Sequence, residues 1–131
     1  MALFAVIGLG SFGATVATQL ISLKHDVIGI DLDKKYVENI SDQLTHAVIA
    51  DATDEHVLDE LDIQRCEAVV VAIGEDIEAS ILCVLHLKNM GVKKIWAKAK
   101  SKAHHMILTH LNVEKIIHPE EDMGVRVAQS L

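Results

Sequence analysis

Short apolar runs alternate along this chain with longer stretches in which apolar residues recur every three or four positions. The runs lie at residues 3–7, 26–31, 46–50, 68–73, 94–98 and 114–118, and they are rich in Val, Ile and Ala. Brief apolar runs of this kind are what parallel strands covered on both faces look like. Helical spacing fills the gaps. Val16, Leu20 and Leu23 mark a first helix, and Val37, Ile40 and Leu44 a second. Val57, Leu58 and Leu61 mark the third, Ile77, Ile81, Val84 and Leu85 the fourth, and Ile107, Leu108 and Leu111 the fifth. A sixth is predicted at about Glu120 to Leu131, opening on Pro119, whose missing N–H costs nothing in a first turn. Met123, Val127 and Leu131 form one apolar stripe on it with no later element to cover them. That stripe is expected to be a dimer surface on a helix leading toward a further domain.

Strands and helices in strict alternation predict an α/β fold. Six strands divide into two mononucleotide-binding halves, giving a doubly wound parallel sheet in the order 3-2-1-4-5-6 with helices on both faces. The first strand supports this reading, because it runs directly into Gly8-Leu9-Gly10-Ser11-Phe12-Gly13. In the G-x-G-x-x-G spacing, Gly8 serves the tight turn out of the strand and Gly10 lets a pyrophosphate approach bare backbone. Gly13 lets the next helix pack close to the sheet, and the N–H groups of that helix point at the phosphates. The motif alone is weak. Here a strand precedes it, an amphipathic helix follows, and the second strand ends in Asp31, about 20 residues beyond, as the dinucleotide fingerprint requires. A carboxylate there accepts the two hydroxyls of an adenosine ribose and repels a 2′-phosphate, which disfavours NADP.

Composition narrows the class. The 131 residues suit one domain with a real core, expected to span 1–131, and no apolar run reaches the length of a membrane span. The N-terminus enters a strand without a signal-like segment, so a soluble cytosolic protein is expected. The net charge of −7 argues against a nucleic-acid partner. Cys66 and Cys83 are too far apart for a C-x-x-C site and read as buried thiols. The eight histidines show no H-x-x-x-H pair, and His104 and His105 are neighbours that point apart, so no zinc site is expected from them.

Other residues at the carboxyl ends of strands are candidates by position, where ligands of open α/β sheets bind. Asp51-Ala52-Thr53 either caps the next helix through Thr53 or Asp54, or meets an adenine edge. Ala72-Ile73-Gly74 closes the fourth strand at the topological switch point, and Gly74 serves a close ligand approach or a simple turn. Glu75 and Asp76 read as the start of the fourth helix. Lys98, unlike the surrounding Lys93, Lys94, Lys100 and Lys102, falls where it can reach a phosphate. His118 and Glu120 flank Pro119 on the same edge. Catalytic signals are poor: the only tyrosine, Tyr36, is followed four residues later by Ile40 and not by the lysine of a Tyr-x-x-x-Lys pair. No nucleophile elbow or Walker lysine is present.

The chain resembles, over essentially its whole length, the RCK or KTN (TrkA-N) regulatory domain of potassium transporters and channels. In particular it is similar to the cytosolic regulatory subunit of bacterial Ktr uptake systems. The resemblance rests on Phe4–Gly10, Thr45–Ala50, Val71–Gly74 and, most discriminating, His118-Pro119-Glu120-Glu121-Asp122-Met123-Gly124-Val125. It implies a regulatory protein and not an enzyme. Residues Gly8 to Phe12 would bind phosphates, Asp31 the ribose, and Asp51, Ala52 and Thr53 the adenine. Lys98 would lie on the phosphate side, and Glu120 would face the nucleotide near a dimer interface, through a divalent cation. It further implies a homodimer within a ring of dimers, peripheral to the cell membrane and acting on a membrane-embedded potassium transporter subunit. The family's C-terminal lobe is absent from this chain. Ktr subunits that discriminate ATP from ADP typically carry Arg where this chain has the short, neutral Ser11. NAD(H) or ADP therefore fit as well as ATP. The competing readings are an NAD-dependent oxidoreductase, or the cofactor half of one, and a methyltransferase-like domain.

Overall fold

The computed structural model describes residues 1–131. Six strands alternate with six α-helices: β1 (Leu3–Ile7), α1 (Ser11–Ser22), β2 (Asp26–Asp31), α2 (Lys34–Ile40), β3 (His46–Ile49), α3 (Glu55–Glu60), β4 (Ala68–Val71), α4 (Ile77–Asn89), β5 (Ile95–Lys98), α5 (Lys102–His110), β6 (Lys115–Ile117) and α6 (Pro119–Ser130). Every strand pair is parallel and the order is β3-β2-β1-β4-β5-β6, as the alternation predicts.

The pleat sorts successive side chains to opposite faces. Ala5 and Ile7 join Ile28, Ile30, Val69, Val71, Ile95 and Ala97 in a core closed by Leu58 of α3, Val84 and Leu87 of α4 and Leu108 of α5. Val6 and Val27 point the other way, against Ala17 of α1 and Val37 and Ile40 of α2. The larger core is the energetic centre; truncating a fully buried leucine such as Leu87 or Leu108 costs about 2–5 kcal/mol.

Three helical stripes turn out narrower than their spacing implies. Leu23 lies beyond the end of α1 and is 66% exposed, while Leu85 and Ile107 sit on outer faces. In α1 the buried residues are Gly13 and Ala17, small side chains that let the helix lie close to the sheet. The fourth strand ends at Val71, two residues short of its apolar run. Its departure opens the site: Ile7 O accepts from Ala72 N on one side at 2.7 Å, while Gly8 N donates to Ile30 O on the other at 2.9 Å. Beyond this point β4 and β2 diverge from β1, leaving a crevice at the switch point.

Helix α6 stands apart from the rest. None of its residues is buried, and Met123, Val125 and Val127 are each at least half exposed. No helix is long and apolar enough to cross a membrane.

Candidate functional site

A cavity of about 790 Å³ opens at the carboxyl edge of the sheet between the two halves. Gly8, Gly10, Ser11, Phe12, Gly13, Asp31, Asp51, Ala52, Thr53, Ile73, Gly74, Lys98 and Glu120 all line it. The same positions, dispersed over more than a hundred residues of sequence, are brought together by the parallel register. Leu9 is the exception. Its side chain is 2% exposed and packs among Val6, Ala17 and Val27, so only its main chain serves the site.

The glycine loop divides its labour sharply. Gly8 has φ +98°, a conformation few side chains tolerate, and a Cβ there would come within 2.7 Å of the Ala72 carbonyl. A Cβ on Gly13 would collide with the carbonyl oxygen of Gly8, which is how close α1 lies to the turn. Around Gly10, by contrast, a Cβ would find no protein atom within 4 Å. Gly8 and Gly13 serve the fold, while Gly10 keeps space open in the cleft.

Helix α1 begins at Gly10 with no side-chain cap and no acid in its first turn. The N–H groups of Ser11, Phe12 and Gly13 have no acceptor within the protein. Four other helices close their first turns with their own side chains: Asp33 accepts from Lys35 N, Asp54 from His56 N, Asp76 from Ala79 N and Ser101 from His104 N. The α1 terminus therefore presents unpaired donors and the positive end of a helix dipole to the cavity. Lys98 Nζ, 5.9 Å from the centre of the Phe12 ring, pairs with no carboxylate and adds a free positive charge nearby. Its neighbour Lys100 is engaged: Nζ lies 2.7 Å from Glu75 Oε2, and that hydrogen bond and charge hold the Glu75 carboxyl below its ordinary value.

Asp31 is fixed by the loop it faces. Its Oδ2 accepts from Leu9 N at 2.7 Å and its Oδ1 from Asp33 N at 2.8 Å. Each carboxylate oxygen keeps a further lone pair for a hydroxyl donor. Across the crevice, Asp51 accepts from both Thr53 Oγ1 at 2.6 Å and Thr53 N at 2.9 Å, and the hydroxyl bond does most to hold its carboxyl below the usual range. Asp54, not Thr53, caps α3, so the Asp51–Thr53 turn is left facing the cavity. The arrangement can bind an anion at one end and a sugar diol at the other.

Several lining residues escaped sequence reasoning: Thr15, Leu32, Tyr36, Ala79 and Met123. One signal was available, since Leu32 directly follows Asp31 and is 67% exposed where no core can receive it. No histidine or cysteine lines the cavity. Burial pushes the Cys66 and Cys83 thiols up to about 11 and about 12, so neither is a thiolate near neutral pH. The histidines of α5 do point apart. His104 enters the core, accepting from Lys100 N at Nδ1 and therefore donating from Nε2 to Ser80 Oγ. His105 Nδ1 meets His118 Nε2 at 2.8 Å on the surface, a pairing that thirteen residues of separation concealed. No group of three or more His, Cys, Asp or Glu is positioned to hold a metal ion.

A glycine-rich strand-to-helix turn with open amides, an anchored carboxylate at the end of the neighbouring strand and a crevice at the switch point define a Rossmann-like domain. The chain matches the TrkA-N domain family over residues 4–119 and belongs to that family. It is 46% identical over 128 residues to the Ktr system potassium uptake protein A of Bacillus subtilis (strain 168), covering 98% of this chain and 58% of that protein. The chain thus spans little more than half the length of this relative. In structure it is similar to the TrkA-N domain of the inner membrane protein ybaL from Escherichia coli, with a TM-score of 0.86 at 14% identity, covering 100% of this chain and 98% of the other. It also superposes on the GsuK channel bound to NAD, with a TM-score of 0.77 at 16% identity, covering 88% of this chain and 21% of the channel.

Proposed function

We propose that this chain is a nucleotide-sensing regulatory domain of a potassium uptake system and not an enzyme. The observation that carries the reading is the uncapped start of α1, with the space above Gly10 open and Asp31 held opposite by the loop's own amide. In this reading the diphosphate of an adenine nucleotide lies on the amides of Ser11, Phe12 and Gly13, with Lys98 at its flank. Asp31 takes the ribose hydroxyls, and Asp51, Ala52 and Thr53 border the adenine. Ile73 and Gly74 line the opposite wall, and Glu120 reaches the cleft from α6, alone or through a divalent cation. The resemblance to Ktr system proteins supports potassium uptake as the process. The GsuK channel, whose domain has the same fold, has been solved with NAD and with ADP.

NAD(H), ADP and ATP all present the required diphosphate and adenosine. Ser11 offers no charge to a γ-phosphate, so selective response to ATP over ADP is not expected. The exposed stripe of α6 is covered by a second copy of the chain, and the assembled regulator docks on a membrane-embedded potassium transporter at the cytoplasmic face. Gating then requires that nucleotide bind one arrangement of the copies more tightly than another, since equal affinity shifts nothing.

Thermal unfolding with NAD, NADH, ADP and ATP tests the reading. A ligand at 100 times its Kd stabilises by about 2.7 kcal/mol and raises Tm accordingly. Absence of a shift with all four contradicts it, as does hydride transfer from bound NADH to a small carbonyl substrate, which favours the oxidoreductase alternative.

A further inference from the structure

The turn that borders the adenine end of the cleft, Asp51–Thr53, lies between β3 and α3, yet it is fastened from elsewhere. Inside the turn, Asp51 takes the N–H and hydroxyl of Thr53, and Asp54 N donates to Asp51 O at 3.1 Å. The one side chain from outside that hydrogen-bonds to it is His86, in the last turn of α4 in the other half of the sheet. Its Nε2 lies 2.9 Å from Thr53 O.

A carbonyl oxygen only accepts, so His86 carries its proton on Nε2 and donates it to Thr53. The other nitrogen, Nδ1, lies 3.8 Å from a carboxylate oxygen of Glu55 at the start of α3. The imidazole is 17% exposed and is thus largely held in place. With Asp54 N tied to Asp51 O and Thr53 O tied to His86, the Thr53–Asp54 peptide is pinned on both sides. Its neighbour Ala52 lines the cleft and has an N–H with no acceptor in the protein. The pin comes from α4, whose first turn contributes Ala79 to the same cleft. Both ends of α4 therefore touch the site, one directly and one through the turn.

From this geometry we propose that His86 is a positioning residue for adenine recognition: it holds the Asp51–Thr53 turn in the shape that receives the base, and it couples that turn to α4. The proposal rests on the nucleotide reading above. His86 does not line the cleft, so it acts through the turn and not on the ligand.

Side-chain length makes the test specific. The terminal amide of glutamine reaches about as far as Nε2 of histidine, whereas that of asparagine reaches only as far as Nδ1. ADP affinity by calorimetry and hydrogen exchange of the 51–54 amides are measured for the wild type, His86→Ala, His86→Asn and His86→Gln. The Ala and Asn variants should bind ADP about 3- to 10-fold more weakly, the scale of one hydrogen bond, with faster exchange confined to the turn. The Gln variant should restore both. Wild-type affinity in His86→Ala, or a Gln variant no better than Ala, overturns the proposal. A wild type that binds no ADP overturns the nucleotide reading itself, a failure visible before any variant is compared.

Discussion

The two halves of the sheet each send a strand into a helix at the switch point, and they finish that turn in opposite ways. After β4, Asp76 folds its carboxylate onto Ala79 N and closes the first turn of α4. Lys100 engages Glu75 next to it. After β5 the closure is repeated: Ser101 takes His104 N and the His104 ring takes Lys100 N. After β1 nothing closes the turn, because Gly10 has no side chain and the first turn of α1 has no acid. Equivalent topology therefore yields one anion-accepting terminus and two that are already satisfied. An open α/β fold supplies several similar crossovers, and the choice of cap decides which of them is left for a ligand.

Substitutions in the two turns should separate most strongly where backbone meets backbone. Gly13→Ala drives a methyl group into the Gly8 carbonyl and should cost about 3 kcal/mol or more, read as a large fall in Tm. Gly74→Ala in the other turn meets only the flexible end of Lys98, at 3.3 Å, and should stay within about 1 kcal/mol of wild type. Similar losses at both glycines would erase the contrast.

Asp31→Ala comes next. It strands the amides of Leu9 and Asp33 as well as removing the ribose acceptor, so it should lower stability by about 1–3 kcal/mol and weaken every ribose-containing ligand. Asp76→Ala removes a cap in the other half and should cost about 1 kcal/mol in denaturant unfolding.

The smallest effect is on pH dependence, and it belongs to the closed half. Burial, with His118 nearby, lowers the proton affinity of His104 below its ordinary value of 6.5. In the window between the lowered folded value and 6.5, the unfolded chain binds the extra proton, so stability is complete above 6.5 and declines as pH falls through that window. The slope is at most about 1.4 kcal/mol per pH unit. His104→Gln should flatten that part of a stability–pH curve; an unchanged slope would place its origin elsewhere.

The order of the strands was legible because parallel strands buried on both faces advertise themselves as short apolar runs, and the glycine spacing fixed which came first. The site was legible where a residue's role depends on its place at a strand's carboxyl end, as with Asp31, Asp51 and Lys98. What sequence concealed was tertiary. Leu9 has an amide that serves Asp31 and a side chain that serves the core, and letters do not separate the two. Leu23, Leu85 and Ile107 keep helical spacing yet lie beyond the arc that the sheet covers. Tyr36 and Met123 reach the cleft from α2 and α6, helices whose orientation no local pattern specifies. The capping role of Asp54 over Thr53 turned on one residue of register.

Gly10→Ser tests the central claim most directly. The extended backbone at Gly10, φ −68° and ψ −167°, suits a serine cap, and there is room for its side chain. The hydroxyl should claim the amides of α1 as Asp76 claims those of α4, leaving Tm unchanged or slightly raised while ADP binding measured by calorimetry falls at least about tenfold. A Gly10→Ser protein that folds as well as wild type and binds ADP with undiminished affinity would show that the open start of α1 is not where the nucleotide is held.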